Sequence, residues 1–328
     1  MSPVPSNKLK AMQQVEKIDL RMPKGWSDMS IEEMETVASV LVEAAAHKPA
    51  LNANQIKVRL FLAITGLEVL ETANPAKPVE EQYLVVCRKG HLERLVLYLW
   101  QMHYWMQEQM TWLDQPSTLL MFPYKEYTRW TWKGRHKYEG PSALMQNFTW
   151  RQYRLAGEFM SYYIDESNKL VAMKDKEGIT PDQLSRQMHN VQRAKGFFLA
   201  TIFNRRVKHV DAETKTIRKE FTYVSWQSME NWKDFEKFSD IKFQCVLFWW
   251  SGTMNWLQNK YPKVFKSTSP KKNAKANPLE LYTRQTATME KYLGINEESL
   301  NRELYTNVLQ HLQDMMDESD RMKALENK

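Results

Sequence analysis

The stretch Ser239-Asp-Ile-Lys-Phe-Gln-Cys245-Val-Leu-Phe-Trp-Trp250-Ser-Gly-Thr-Met-Asn-Trp-Leu257 decides how the rest of the chain is read. It is apolar nearly all round and stops before Pro262, which marks a helix buried on every side. Ser239 and Asp240 can cap its start. At its most apolar it is still interrupted by Gln244, Ser251, Gly252 and Asn255, and it falls short of the roughly 20 apolar residues that a membrane span needs. A buried central helix demands other helices around it, and the sequence on both sides supplies them.

Upstream, Ser30-Ile-Glu-Glu33 has capping-box spacing, and Met34, Val37, Leu41, Val42 and Ala45 recur behind it at helical intervals to about His47. A second helix is expected from about Asn54 to Leu70. A third follows from His91 through Trp112, after a short β-prone run at Tyr83–Arg88. Thr149-Trp-Arg-Gln152 repeats the capping spacing and opens a helix carrying Tyr153, Ala156, Met160, Tyr163 and Ile164. Thr180-Pro-Asp-Gln183 sets a cap with Pro at the first helical position, ahead of a helix to about Phe203. β-branched residues around Asp211-Ala-Glu predict a hairpin near 205–224. Trp226–Phe238 reads as a short amphipathic helix.

The predicted fold is therefore mainly α: a multi-helix globular body with a minor β-hairpin and a C-terminal helical hairpin module. A flexible N-terminal arm covers 1–25, an N-terminal helical lobe 26–114, an irregular aromatic and basic connection 115–148, and a central helical lobe 149–265. A basic linker at 266–277, poor in apolar bulk, precedes the C-terminal helical module 278–328.

Composition narrows the function classes. A chain of 328 residues with 12 Trp, 14 Tyr, 13 Phe and 19 Met carries more ring surface than a globular average, which suits a dense core or a large partner surface. Cys87 and Cys245 lie in apolar runs and read as buried free thiols, so no disulfide framework is expected. The N-terminus has no apolar signal region, and a cytoplasmic location is expected. The formal net charge of +7 is uneven: Tyr124–Arg154 holds seven Lys/Arg against two Glu, whereas Pro278–Lys328 holds ten acids against six bases. Such asymmetry favours electrostatic pairing with a partner or another copy.

No catalytic signature emerges, and the chain is read as non-enzymatic, with no cofactor and no metal. His47, His91, His103, His136, His189, His209 and His311 include no pair at the spacing that sets two ligands on one helix face. Asp240-Ile-Lys242 has the carboxylate-x-Lys spacing of some nucleases, but a three-residue pattern is common in charged chains and its Asp is better read as a helix cap. Gly-rich phosphate loops, nucleophile elbows and His-Glu-x-x-His are absent from the sequence. Trp249, Trp250 and Trp256 could line a pocket, although core packing is the simpler reading.

Two stretches are candidates for partner contact. Tyr305, Leu309, Leu312, Met315 and Met316 approximate a heptad stripe that would be satisfied by docking on the body or on a protein partner, including another subunit. The segment 124–154, led by Arg129, Trp130, Trp132, Lys133, Arg135 and Lys137, interleaves rings with cations, an arrangement suited to stacking bases and neutralising phosphates of a nucleic acid. Its alternative is a surface loop with solvated charges.

Three phrases carry a resemblance: Thr149-Trp-Arg-Gln-Tyr-Arg154, Gly196-Phe-Phe-Leu-Ala-Thr-Ile-Phe203, and Asn277-Pro-Leu-Glu-Leu-Tyr-Thr-Arg-Gln-Thr-Ala-Thr-Met-Glu-Lys-Tyr-Leu-Gly294. Through them the C-terminal half resembles phage and prophage tail-module proteins, including tail-assembly chaperones. The resemblance implies a non-enzymatic assembly role, as a chaperone or as a structural component of the virion.

Overall fold

The computed structural model describes residues 21–47, 49, 51–72, 78, 81–88, 94–132, 134–174, 176, 178–210, 217–222, 230–265 and 278–326. The fold is mainly α with two small antiparallel sheets. Two compact units divide the chain: Met1–Thr118 with Asp240–Phe248, and Leu119–Ser239 with Trp249–Lys328. The expected N-terminal arm up to residue 20 and the linker 266–277 lie outside the described residues. No helix among the described residues is long and apolar enough to cross a membrane.

The first unit opens with helix α1, Ile31–Ala46, behind the expected capping box: Glu33 N–H donates to Ser30 Oγ at 3.2 Å, and Ser30 N–H to Glu33 Oε2 at 2.7 Å. Helix α2, Ala53–Thr65, starts from a second such box at Asn52 and Gln55. It ends five residues earlier than the periodicity suggested, because Gly66 turns into the left-handed region at φ 68. Leu67–Thr72 becomes strand β1, paired antiparallel with β2, Tyr83–Arg88, which pairs in turn with β3, Arg94–Tyr98. The helix expected from His91 is thus corrected: its described start is strand, and helix α3 runs only over Leu99–Gln109. Trp26 anchors this core, its ring 5.1 Å from Trp112 and 4.7 Å from Phe248, with its Nε1–H donating to the Trp112 carbonyl at 3.2 Å. Cys87 and Cys245 are buried free thiols, as expected.

The second unit is organised by helices α4, Trp150–Lys174, and α5, Pro181–Ile202. They run antiparallel, since Gln152 reaches Thr201, Phe159 stacks on Phe197, and Gln187 bonds Glu166. The Thr180 capping box is present with Pro181 at the first position. At Thr149 only half of the expected box forms. Gln152 N–H donates to Thr149 Oγ1, but the Gln152 amide turns into the core to donate to the Thr201 carbonyl at 2.9 Å and Asn204 Oδ1 at 3.1 Å. That buried amide does more for the unit inside than at the cap, because Thr201 and Asn204 are themselves buried.

Strands β4 (Glu126–Thr131), β5 (Gly134–Glu139), β6 (Asn204–Val210) and β7 (Ile217–Thr222) form one antiparallel sheet in that order. The hairpin expected near 205–224 is β6–β7. The connection read as irregular at 115–148 is corrected, since it contains the hairpin β4–β5. Within Trp226–Phe238 the described part, 230–238, runs from the helical residues Glu230 and Asn231 into a 3-10 turn, Trp232–Phe235. Helix α6 is Asp240–Lys260, its first nine residues counted with the first unit and the remainder with the second. Helices α7 (Pro278–Leu293), α8 (Glu297–Arg302) and α9 (Tyr305–Glu326) belong to the second unit and are not a module apart. Trp150 Nε1 and Arg154 both donate to Thr286 Oγ1, at 3.2 and 2.9 Å, and tie α7 to α4.

Between α4 and α5 the buried Glu166 accepts from Lys169 at 2.6 Å and from the Gln187 amide at 2.8 Å. The Lys169 ammonium holds the Glu166 carboxyl below the usual glutamate range, against the burial that pushes it up. A carboxylate with a depressed folded pKa stabilises the fold above its unfolded pKa and loses that contribution as pH falls through the folded value. Glu166→Gln is expected to cost about 1–2 kcal/mol at neutral pH and almost nothing once the carboxyl is protonated. Urea midpoints of wild type and variant measured across the acid range check this, and a cost independent of pH would refute it.

Candidate interaction surface

Strands β4 and β5 close on each other at the tip of their hairpin, where Thr131 pairs with Gly134. Gly134 adopts φ 118, a conformation L side chains rarely reach, so the tight turn depends on glycine there. Strand alternation then sorts the aromatic and basic segment onto two faces.

One face carries Tyr127, Arg129, His136 and Tyr138, because Tyr127 is opposite Tyr138 and Arg129 opposite His136. Tyr127 and Tyr138 pack on Phe235 with ring centroids 5.0 and 4.9 Å away. Asp234, from the 3-10 turn, collects the polar groups of this face. Its Oδ2 accepts from the Tyr138 hydroxyl at 2.5 Å and lies 2.6 Å from His136 Nδ1, while its carbonyl accepts from the Tyr127 hydroxyl at 3.0 Å. Burial, and then the bond to Asp234, pushes the Tyr138 hydroxyl well above the usual tyrosine range. A phenol held protonated is a lasting donor, so this cluster acts chemically as a clamp that fixes the hairpin to the body.

The opposite face carries Glu126, Thr128, Trp130, Arg135, Lys137 and Glu139. Trp130 is 70% exposed, and Trp132 at the turn is 91% exposed. The Arg135 guanidinium lies over the Trp130 ring, 5.6 Å from its centroid. Lys137 sits beside Thr128 two pairs further from the tip, next along the same face. Of the six residues singled out for nucleic acid, Trp130, Trp132, Arg135 and Lys137 therefore come together, Arg129 is turned to the clamped face beside Tyr127, and Lys133 lies outside the described residues. Within the hairpin the two cations of the tryptophan face are offset by Glu126 and Glu139, and β6 adds Arg206 on the same face of the sheet.

The C-terminal stripe is placed differently. Tyr305, Leu309 and Leu312 are buried inside the second unit, and Met315 and Met316 are half-buried. Tyr305 stacks on Tyr153 at 4.9 Å and donates to the Leu144 carbonyl at 2.5 Å. Further along α9, Asp317 and Asp320 both grip the Lys263 ammonium at 2.6 Å. Of the two ways to satisfy the stripe, docking on the body is the one the structure contains for these three residues. They are corrected here from a partner surface to core.

Asp234, Tyr127, His136 and Tyr138 were not singled out by sequence reasoning. The only local signal was the alternation of rings and cations along 127–138, since Asp234 lies 98 residues from His136. Among the described residues no group of three or more His, Cys, Asp or Glu could hold a metal ion. Trp249 is fully buried against Phe122, and Trp250 against Phe198, which makes them core. Comparison with protein-family models, with curated proteins and with solved structures returned no match.

Proposed function

We propose that the chain is a non-enzymatic interaction protein that docks onto another protein through the tryptophan-bearing hairpin β4–β5. The observation that carries this reading is the pair of exposed indoles, Trp130 and Trp132, on a hairpin whose other face is clamped by Asp234. Two large rings left in water are costly unless a partner covers them, and a hairpin already fixed in place loses little freedom on binding. Tryptophan and arginine are the side chains that concentrate binding energy at protein interfaces. The complementary surface would offer apolar clefts for the indoles and a carboxylate near Arg135 and Lys137. Assembly of a larger particle, the setting that the resemblance to tail-module proteins implies, is the role we infer for such a contact.

A nucleic acid is the second reading, favoured by the Arg135–Trp130 pair, which could stack a base and meet a phosphate. We rank it lower because nucleic-acid affinity rests on neutralising phosphates, and within the hairpin β4–β5 Arg135 and Lys137 are offset by Glu126 and Glu139, which leaves Arg206 of β6 as a further cation on that face of the sheet.

The double variant Trp130→Ala/Trp132→Ala is expected to keep wild-type circular dichroism and thermal midpoint, and to lose partner affinity by at least about 2 kcal/mol, or roughly 30-fold. Proteins retained from extracts of the native source by immobilised wild type and variant would be compared quantitatively, and a partner held equally by both would reject the hairpin. Titration of labelled single-stranded DNA at two salt concentrations separates the readings. Salt-sensitive binding that disappears in the double variant would replace the protein reading with the nucleic-acid one.

A further inference from the structure

The first unit's sheet treats its two edges differently. An unpaired edge strand is a template for another strand, and proteins guard such edges with bulges, charges or proline. Strand β1 is guarded in this way: its register shifts between Val69 and Glu71, and Glu68 and Glu71 point along it. Strand β3 at the other edge is not. Arg94-Leu-Val-Leu-Tyr98 keeps regular register with β2 throughout, contains no proline or lysine, and has its single charge at one end. Among the described residues no strand pairs with its outer side, and residues 94–98 make no backbone hydrogen bond beyond the ladder to β2.

The same edge is unusually apolar. Val96 is 38% and Tyr98 40% exposed, and helix α3, which follows directly, leaves Trp100 and Tyr104 exposed four residues apart on one face. This cluster belongs to a different unit from the hairpin, so it stands apart from the functional reading above.

We infer that β3 is a self-association edge, which pairs antiparallel with β3 of a second copy of this chain about a two-fold axis at Val96. The strand is complementary to itself in that register. Val96 would face Val96, Leu95 would face Leu97, and Arg94 would face the Tyr98 ring of the second copy. No like charges meet, and each guanidinium, 3.7 Å from Glu71 Oε1 of its own chain, would lie beside an aromatic side chain of the other copy. The three-stranded sheet would become a continuous six-stranded one. Because the contact uses the same patch on both copies it closes on itself, giving a dimer and no filament. Self-pairing of β1 would instead set glutamates near glutamates, which explains why the second copy is assigned to β3.

The test is the mass of the full chain by sedimentation over a wide range of concentration. Wild type is expected to pass from monomer to dimer. Val96→Lys is expected to weaken dimerisation at least about tenfold, because two ammonium groups would face one another across the axis. Val96→Thr, β-branched and uncharged, is expected to keep the dimer. Unchanged circular dichroism in both variants shows that the fold survives. A third variant, Val96→Cys, should form a disulfide-linked dimer on mild oxidation, since residue 96 would lie opposite itself. Wild type that stays monomeric at every concentration, or Val96→Lys that dimerises as tightly as wild type, would overturn the assignment. A ladder of masses beyond the dimer would also overturn it, by showing an open contact. Each outcome is read on wild-type Trp130 and Trp132, so failure here leaves the hairpin reading untouched.

Discussion

Leu312→Asp is expected to unfold the second unit. Leu312 is 1% exposed on helix α9, in line with the buried Tyr305, Val308 and Leu309, so a carboxylate there would have neither water nor a cation to meet it. The loss combines the transfer free energy of a full leucine side chain with the cost of an unpaired buried charge, together about 4 kcal/mol or more. Had the stripe been a free partner surface, the same substitution would leave the fold intact and weaken association alone. Chemical denaturation followed by circular dichroism distinguishes the two: a folded, wild-type-stable Leu312→Asp would return the stripe to the surface. Met315→Asp, at a half-buried position one turn further on, is expected to cost clearly less.

Gly252→Ala should be the next most damaging change, and its sign is informative. In a helix interior alanine is favoured over glycine by about 1 kcal/mol, so propensity alone predicts stabilisation. A Cβ on Gly252, however, would lie 2.5 Å from the Leu119 carbonyl oxygen and 2.8 Å from the Leu119 nitrogen. Both are backbone atoms and cannot rotate aside as a flexible side chain would. Helix α6 and the Leu119 strand of chain must separate, which undoes packing around Trp249 and Phe122. We expect a net loss of about 2–3 kcal/mol, seen as a lower urea midpoint. A variant as stable as wild type would show that the close approach is not required.

These two cases mark how far local reading reached. The capping residues Ser30, Glu33, Thr180 and Gln183 identified helix starts correctly, because a cap is satisfied by atoms three residues away and needs no distant partner. The central helix was visible for a similar reason, its apolar circumference being a property of one segment. Strands β1 and β3 were missed. Their apolar residues continue the periodicity of adjacent helices, and whether Leu67 or Leu95 extends a helix or starts a strand depends on β2 lying between them. Gly66, a residue that takes the left-handed conformation without a Cβ penalty, is the one local sign of the boundary between α2 and β1.

The candidate surface was legible by composition and not by geometry. Arg129, Trp130, Trp132, Lys133, Arg135 and Lys137 form one cluster along the chain, yet pairing into a hairpin sends Arg129 to one face and Arg135 and Lys137 to the other. Asp234, which clamps the first of those faces, is brought in by the turn after residue 231 and could not be associated with His136 from spacing.

Sequence by itself determined the mainly helical class, the starts of the capped helices, the free buried cysteines and the positions of the exposed-ring and heptad segments, all of which follow from interactions within a few residues. Tertiary structure alone decided which amphipathic stripe is core, which face of the hairpin meets water and, among the described residues, which edge strand has no second neighbour. Burial and strand pairing are set by partners far away in the chain, and a stripe of leucines looks the same whether its neighbour is the same molecule or another.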